Sequence, residues 1–539
     1  MDEVDAVVIG AGFAGLYQLY RLRELGFSAQ GFEAGSGVGG TWFWNRYPGA
    51  RCDVESMDYS YSFSEELEQE WEWTERFPTQ PEILRYLNYV ADRFELRRMI
   101  RFNTRVTSAR YDDRTARWAV TTDQGQEISA RFVIAATGCL SVWQIPDFPG
   151  LESFQGSAFH TGNWPHEPVD FTGLRVGVIG TGSTGIQAIP QIAKQAAHLF
   201  VFQRTPNFSV PARNHLLTAE YQAFRKTTYR EYRERAKVSG GGHSAILPTK
   251  SALDDTDADR RREYEQRWQK GGAPAMQMAY TDLMTNPQAN ETIAEFVRSK
   301  IRETVKDPAV AEKLTPADYP FGAKRLCVDI DYFETYNRDN VTLVDVRDAP
   351  IEKITPRGIA TGGREYELDA IVFATGYDAM TGPLLSMDVR GRDGKPLRDA
   401  WAAGPRTYLG IQVTGFPNLF TITGPGSPSV ISNMVVSIEQ HVDWVSDCLV
   451  HMREHGVETV EPVAEAQDAW VAHVNDAAAG TLFVRAKSWY LGDNIPGKPR
   501  VFMPFVGGVG VYRKKCDEVV ANGYEGFVMS PRQDRQATG

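Results

Sequence analysis

Two glycine-rich turns, each set between a short apolar run and an amphipathic run, constrain this chain more than any other feature. In the first, Val4-Asp5-Ala6-Val7-Val8-Ile9 leads into Gly10-Ala11-Gly12-Phe13-Ala14-Gly15. Leu16, Leu19, Tyr20, Leu22 and Leu25 then follow at helical spacing, up to Gly26. A continuous β-branched run suits a strand buried on both faces of a parallel sheet, and the spacing after it lays an apolar stripe against such a sheet. A second strand over 28–33 completes a βαβ unit. The pattern recurs: a strand over 174–179, the turn Gly180-Thr181-Gly182-Ser183-Thr184-Gly185, a helix through Ile186, Ile189 and Ile192, and a strand over 199–203. A lone GxGxxG is weak evidence, but here each copy stands between the strand and the helix that its geometry requires. The glycines let backbone N–H groups approach a pyrophosphate at the positive end of a helix, so the chain is expected to hold two dinucleotides.

The residue about 20 positions past each turn sorts the two nucleotides, because a carboxylate there accepts from a ribose 2′-hydroxyl and repels a 2′-phosphate. Glu33 stands at that place in the first unit (33 − 10 = 23) and suits the adenosine half of FAD. In the second unit the same offset (203 − 180 = 23) falls on Gln203, followed by Arg204 and Thr205. A guanidinium binds a phosphate bidentately, so this unit is expected to prefer NADP. Gly37-Val38-Gly39-Gly40-Thr41-Trp42 offers a flexible turn for the flavin side, and Trp42, Phe43, Trp44 and Tyr47 a lining for a flat ring.

With 539 residues, at roughly 150 per domain, the chain has room for three or four domains. Its 58 Lys and Arg against 69 Asp and Glu leave a net charge of −11, which argues against a nucleic-acid partner. The acidic start Met1-Asp2-Glu3 is unlike an export signal, and no apolar run reaches the roughly 20 residues of a membrane span. Cys52, Cys139, Cys327, Cys448 and Cys516 are scattered and odd in number, which suits free thiols in a cytoplasmic setting and leaves no Cys-x-x-Cys pair for disulfide redox chemistry. No metal site is expected. Between about 211 and 319 the composition turns charge-rich, with helical periodicity over 221–237, 257–270 and 294–305. The Arg260-Arg261-Arg262 run there, beside Asp257, Asp259 and Glu263, reads as a solvated helix face. Strands return over 341–346 and 370–373, the latter running into Ala374-Thr375-Gly376 as 133–135 runs into Ala136-Thr137-Gly138.

The stretch Phe154-Gln155-Gly156-Ser157-Ala158-Phe159-His160-Thr161-Gly162-Asn163-Trp164-Pro165 resembles the FxGxxxHxxxWP fingerprint of type I Baeyer–Villiger monooxygenases, and lies ahead of the second glycine turn as it does in that family. Residues 39–61, 176–213, 401–410, 424–441 and 488–512 look like the phenylacetone and steroid monooxygenase branch. The resemblance implies an α/β fold of two Rossmann-like domains with a helical insertion. FAD would be held by 1–140 and 378–539 and NADP by 141–211 and 322–377, with the insertion over 212–321. It implies an enzyme that consumes NADPH and O2, forms a C4a-peroxyflavin and converts a ketone into an ester or lactone, as a monomer or weak homo-oligomer. A flavin monooxygenase acting on sulfides or amines is the alternative, and a non-catalytic dinucleotide-binding regulator a more distant one.

By the same resemblance Arg325 is the active-site cation and Asp53 the carboxylate that orients it. Gly10, Gly12, Phe13, Ala14, Gly15, Glu33, Gly40, Thr41, Trp42, Asp53, Tyr59 and Met434 would surround FAD. Gly180, Thr181, Gly182, Ser183, Thr184, Gly185, Gln187, Arg204, Thr205, Lys324, Arg325 and Trp489 would surround NADP, with Lys324 on the 2′-phosphate and Trp489 on a loop that closes the site. Val54, Cys139, Leu140, Ser429, Val430 and Met434 would line the ketone pocket, although 138–146 departs from the phenylacetone-type pattern. His160 and Trp164 are expected to act in domain positioning rather than in proton transfer.

Overall fold

A computed structural model of the chain describes residues 2–244 and 247–531; Met1 and the last eight residues of the expected C-terminal flavin segment lie outside the described residues. The strand Asp2–Ile9 sits inside an eight-stranded sheet, parallel to Ala29–Phe32 on one side and to Glu127–Ala135 on the other. Two strands from the far end of the chain complete this sheet: Asp388–Arg390 pairs with Val106–Asp112, and Leu419–Thr421 with Glu127–Ala135. The helix Phe13–Glu24 begins inside the glycine turn, because Gly12 is its N-cap, and ends before Gly26, whose φ of +76° turns the chain at no steric cost. Its Leu16, Leu19 and Leu22 share one core with Val435, Val442 and Leu449 of the helix Met434–Glu454, so segments more than 400 residues apart bury one apolar face.

The second sheet has five strands, all parallel, in the order Val341–Asp345, His198–Gln203, Arg175–Ile179, Ala370–Phe373, Ser157–His160. The fingerprint stretch supplies its edge strand. Ser209–Pro211 and Cys327–Asp329 pair in parallel at the point where the helical segment leaves and rejoins this half of the molecule. Within that segment Asp257–Lys270 and Pro287–Thr304 pack around Phe208, Met276 and Phe321. The latter helix starts seven residues before the apolar periodicity suggests (294 − 287 = 7), because the Asn286 side chain accepts from Gln288 N at 2.9 Å and from Ala289 N at 3.4 Å. Ala219–Val238 behaves differently from its neighbours: Tyr229 joins the first core, and buried Arg233 pairs with Glu68 at 2.8 Å and donates to Asp58 O at 3.1 Å. Of the arginine run Arg261 and Arg262 are solvated, with Arg262 on Asp259 at 2.6 Å and Arg261 near Glu303 at 3.8 Å, whereas Arg260 turns inward and donates to Ala252 O at 3.0 Å and Asp255 O at 2.6 Å. Among the described residues no helix is long and apolar enough to cross a membrane, and no cluster of His, Cys, Asp and Glu is arranged to hold a metal.

Candidate active site

Both glycine turns open onto one cavity of about 1290 Å³. Each helix that begins there, Phe13–Glu24 and Ser183–Ala193, is capped by a glycine with no side-chain acceptor for its first N–H groups. Those donors point to an anion at the positive helix end. A Cβ on Gly182 would meet nothing within 4 Å, so the missing side chain leaves open space at the second turn. The outer glycines differ. A Cβ on Gly15 would stand 1.9 Å from Gly10 O and one on Gly185 2.3 Å from Gly180 O. Neither lines the cavity: they hold helix against strand, and their expected place around the cofactors is corrected to a packing role.

Glu33, 6% exposed, faces the first turn and accepts from Ala11 N at 2.9 Å and Gly35 N at 2.7 Å. Burial raises its carboxyl above the usual range, opposed by those two N–H groups. Trp42 and Tyr59 stand edge to face, with Trp42 Nε1 donating to Tyr59 Oη at 3.2 Å, and form an aromatic wall beside Gly40 and Thr41. In the second unit Gln203 is fully buried and donates to Lys313 O, away from the cavity, whereas Arg204 and Thr205 line it. Lys324 lies over the Tyr319 ring at 4.4 Å. Burial and the nearby charge of Arg204 hold its ammonium below the usual lysine range. Neither cation has a carboxylate partner among the described residues, so the pair is left open to an anion. Both dinucleotides therefore fit the residues present.

Between the two turns sits Arg325. Its Nε and Nη2 donate to Asp53 at 3.0, 2.7 and 2.8 Å, and its Nη1 donates to Val430 O at 2.6 Å. Burial alone would lower its pKa, but Asp53 and Tyr490 hold it well above the ordinary value, so the charge is permanent. Cys139, Leu140, Val430, Met434 and Trp489 meet in one apolar cluster at this end of the cavity, with Val54 lining it nearby. Ser429 does not line the cavity: it is fully buried behind Cys139, whose Sγ lies 3.2 Å from its Oγ, so its expected place in the pocket wall is corrected to one layer back. Gln187 Oε1 accepts from Tyr47 Oη at 2.8 Å and its Nε2 donates to Arg51 O at 3.1 Å, tying the helix of the second turn to the segment before Asp53.

Sequence reasoning missed the fastening of the Trp489 loop. Lys498 Nζ donates to Asp378 at 2.6 Å and Ala379 O at 2.7 Å, and Asn494 Nδ2 donates to Tyr377 O at 2.8 Å. Lys487, Tyr377, Thr423 and Asn494 also line the cavity. Only the Gly-Pro-rich run at 492–499 marks that loop in the sequence; its partners come from 377–379, more than a hundred residues earlier.

A family profile described as flavin-binding monooxygenase-like matches residues 4–214. The 2-oxo-Δ3-4,5,5-trimethylcyclopentenylacetyl-CoA monooxygenase of Pseudomonas putida is 43% identical over 538 residues, 98% of each chain. A Baeyer-Villiger monooxygenase of Pseudooceanicola batsensis is 44% identical over 98% of this chain and 96% of its own. A solved oxidized steroid monooxygenase bound to NADP superposes with a TM-score of 0.94 at 54% identity, over 98% of this chain and all of the other. The chain belongs to the Baeyer–Villiger monooxygenases. In this Baeyer–Villiger monooxygenase the fingerprint His160 is buried, and burial lowers its pKa to about 4. Its Nδ1 accepts from Gly162 N at 2.9 Å and its Nε2 lies 3.3 Å from Thr375 Oγ1, so the ring is neutral at neutral pH, keeps its single proton on Nε2 and ties its own segment to the one at Thr375. Trp164 packs on Phe159 and Phe171 in the second core.

Proposed function

We propose that the chain uses FAD, NADPH and O2 to convert ketones into esters or lactones, with Arg325 and Asp53 as its catalytic pair. The observation that carries this reading is a permanent cation, fixed at four hydrogen bonds, on the cavity onto which both dinucleotide turns open. Bound flavin, reduced by NADPH, supplies the activation of O2: one oxygen atom enters the ketone and the other leaves as water. The chain's own residues orient and stabilise. Attack on a ketone builds negative charge on the carbonyl oxygen, and a preorganised guanidinium meets that charge without rearranging. Asp53 holds the guanidinium plane at two points, so the charge cannot swing away. Arg325 cannot deprotonate in practice, so it stabilises charge and moves no proton. Trp489 and Tyr490 stand in the apolar cluster at this end of the cavity, where Arg325 keeps part of its side chain open to it. Oxygenation of a sulfide or amine leaves no oxyanion for a fixed cation to hold, which favours the ketone reading.

Residues 1–140 and 378–539 would bind FAD, 141–211 and 322–377 NADP, and 212–321 would form the insertion; the strand pairing of both ends in one sheet supports the first assignment. Five buried, unpaired thiols support a cytoplasmic setting, and we expect a monomer or weak homo-oligomer. The test is a panel of ketones with NADPH and isotopically labelled O2. A yellow protein should release esters carrying one labelled oxygen atom. Oxidation at sulfur or nitrogen alone would overturn the reading.

A further inference from the structure

The stretch 138–146, which departs from the pattern of the branch the chain otherwise resembles, contains a cysteine that holds three segments of the pocket at once. Cys139 Sγ donates to Thr423 O at 3.4 Å and lies 3.2 Å from Ser429 Oγ, while its carbonyl accepts from Met380 N at 2.9 Å. One S–H is available. With it given to Thr423, the single Ser429 hydroxyl proton has two sulfur acceptors, Cys139 Sγ at 3.2 Å and Met380 Sδ at 3.8 Å, of which Cys139 is the nearer. All three partners carry side chains yet lie in the left-handed region, Met380 at φ +67°, Thr423 at +53° and Ser429 at +40°. Such conformations persist only where neighbours hold them. Thr423 is held on its other side too, its N–H donating to His441 Nδ1 at 3.0 Å. The residue after Ser429 is Val430, whose carbonyl takes the Arg325 Nη1 that Asp53 does not reach.

We infer that Cys139 is a positioning residue for the oxygenation step: through Ser429 it sets the Val430 carbonyl, and through that carbonyl the angle of the Arg325 guanidinium. This rests on the reading of Arg325 given above. Cys139 also lines the cavity, so a simpler role as pocket wall makes a different prediction. A wall acts on ketones by size and through KM. A positioning residue acts on every ketone through kcat, and leaves anaerobic flavin reduction by NADPH untouched.

The experiment compares wild type, Cys139→Ala, Cys139→Ser, Ser429→Ala and the Cys139→Ala/Ser429→Ala double variant on a small and a bulky ketone. It reads kcat, KM, peroxide released per NADPH and anaerobic flavin reduction. A lost neutral hydrogen bond in a buried network corresponds to about fivefold in rate. Cys139→Ala and Ser429→Ala should each lower kcat about that much for both ketones and raise peroxide release. The double variant should lose no more than either alone, and Cys139→Ser, which keeps a donor, should recover most of the loss. Unchanged flavin content and reduction rate show that the variants are folded. A change in KM for the bulky ketone alone, a silent Ser429→Ala, or no recovery with serine would each overturn the inference. Failure of the wild type to form esters would instead overturn the functional reading itself.

Discussion

Removing Arg204 should separate NADPH from NADH. The guanidinium is exposed, stands beside half-buried Lys324, and has no carboxylate partner among the described residues. A hydrogen bond to a charged group contributes about 1.5–3 kcal/mol, and solvent screening places an exposed contact at the low end, which is about tenfold in affinity. Arg204→Ala should therefore weaken NADPH about tenfold, and Arg204→Ala with Lys324→Ala about a hundredfold, less whatever the two neighbours share. NADH carries no 2′-phosphate, so its affinity should change less than about twofold on the same reasoning. The assay is the rate of anaerobic flavin reduction against the concentration of each cofactor, at low and high salt. The NADPH penalty should shrink at high salt, because screening already weakens the wild-type contact. Protonation adds a second readout. Lys324 titrates below an ordinary lysine in the free protein, and a bound phosphate favours its charged form. Binding should therefore take up a proton on the alkaline side, with NADPH affinity falling as the pH rises through the depressed Lys324 value, and Lys324→Ala should lack that limb. Equal losses for NADPH and NADH would refute the assignment of this corner to the 2′-phosphate.

Arg325→Ala should lower ester formation by about 10²–10³-fold, the effect of losing one preorganised donor to a developing oxyanion, while NADPH still bleaches the flavin. Arg325→Lys should not restore it, because an ammonium cannot span Asp53 and Val430 O together; retained ester formation, measured by mass spectrometry, would contradict the charge argument. Asp329 is buried at the root of the helical segment and accepts from Ser209 Oγ; burial raises its pKa from 3.8 to about 7. The folded state then binds its proton more tightly than the unfolded chain, so its contribution is fully present below about pH 4 and lost as the pH rises through about 7. Asp329→Asn should remove up to about 3 kcal/mol of that loss between pH 5 and pH 8, seen as a flatter urea-unfolding midpoint; an unchanged pH slope would show that the carboxyl ionises freely when folded.

The two nucleotide units were legible because their information is local. Gly10 to Gly15 and Gly180 to Gly185 must lie between a strand and a helix within some thirty residues, and Glu33 against Gln203-Arg204 is a contrast of charge at one offset. The strand Ala370–Phe373 and the helix Asp257–Lys270 fall where periodicity puts them. The helix from Pro287 started early because a cap, unlike an apolar stripe, has no period. Ser429 lies behind the wall that its neighbour Val430 lines for a related reason: one residue along a turn separates the wall of a cavity from the layer behind it, and only the backbone path says which is which.

By itself, then, the amino-acid order determined two dinucleotide units and pointed, through a charge contrast and a resemblance, to the nucleotide we propose for each and to Arg325 and Asp53 as the proposed cation and carboxylate of the site. Tertiary structure alone decided what stands around that cation. Asp53, Arg325, Val430 and Tyr490 come from four distant segments, and Cys139 reaches Thr423 and Ser429 across more than 280 residues of chain. Hydrogen bonds depend on separation in space, and a linear spacing carries no record of a contact that only the packing of two sheets creates.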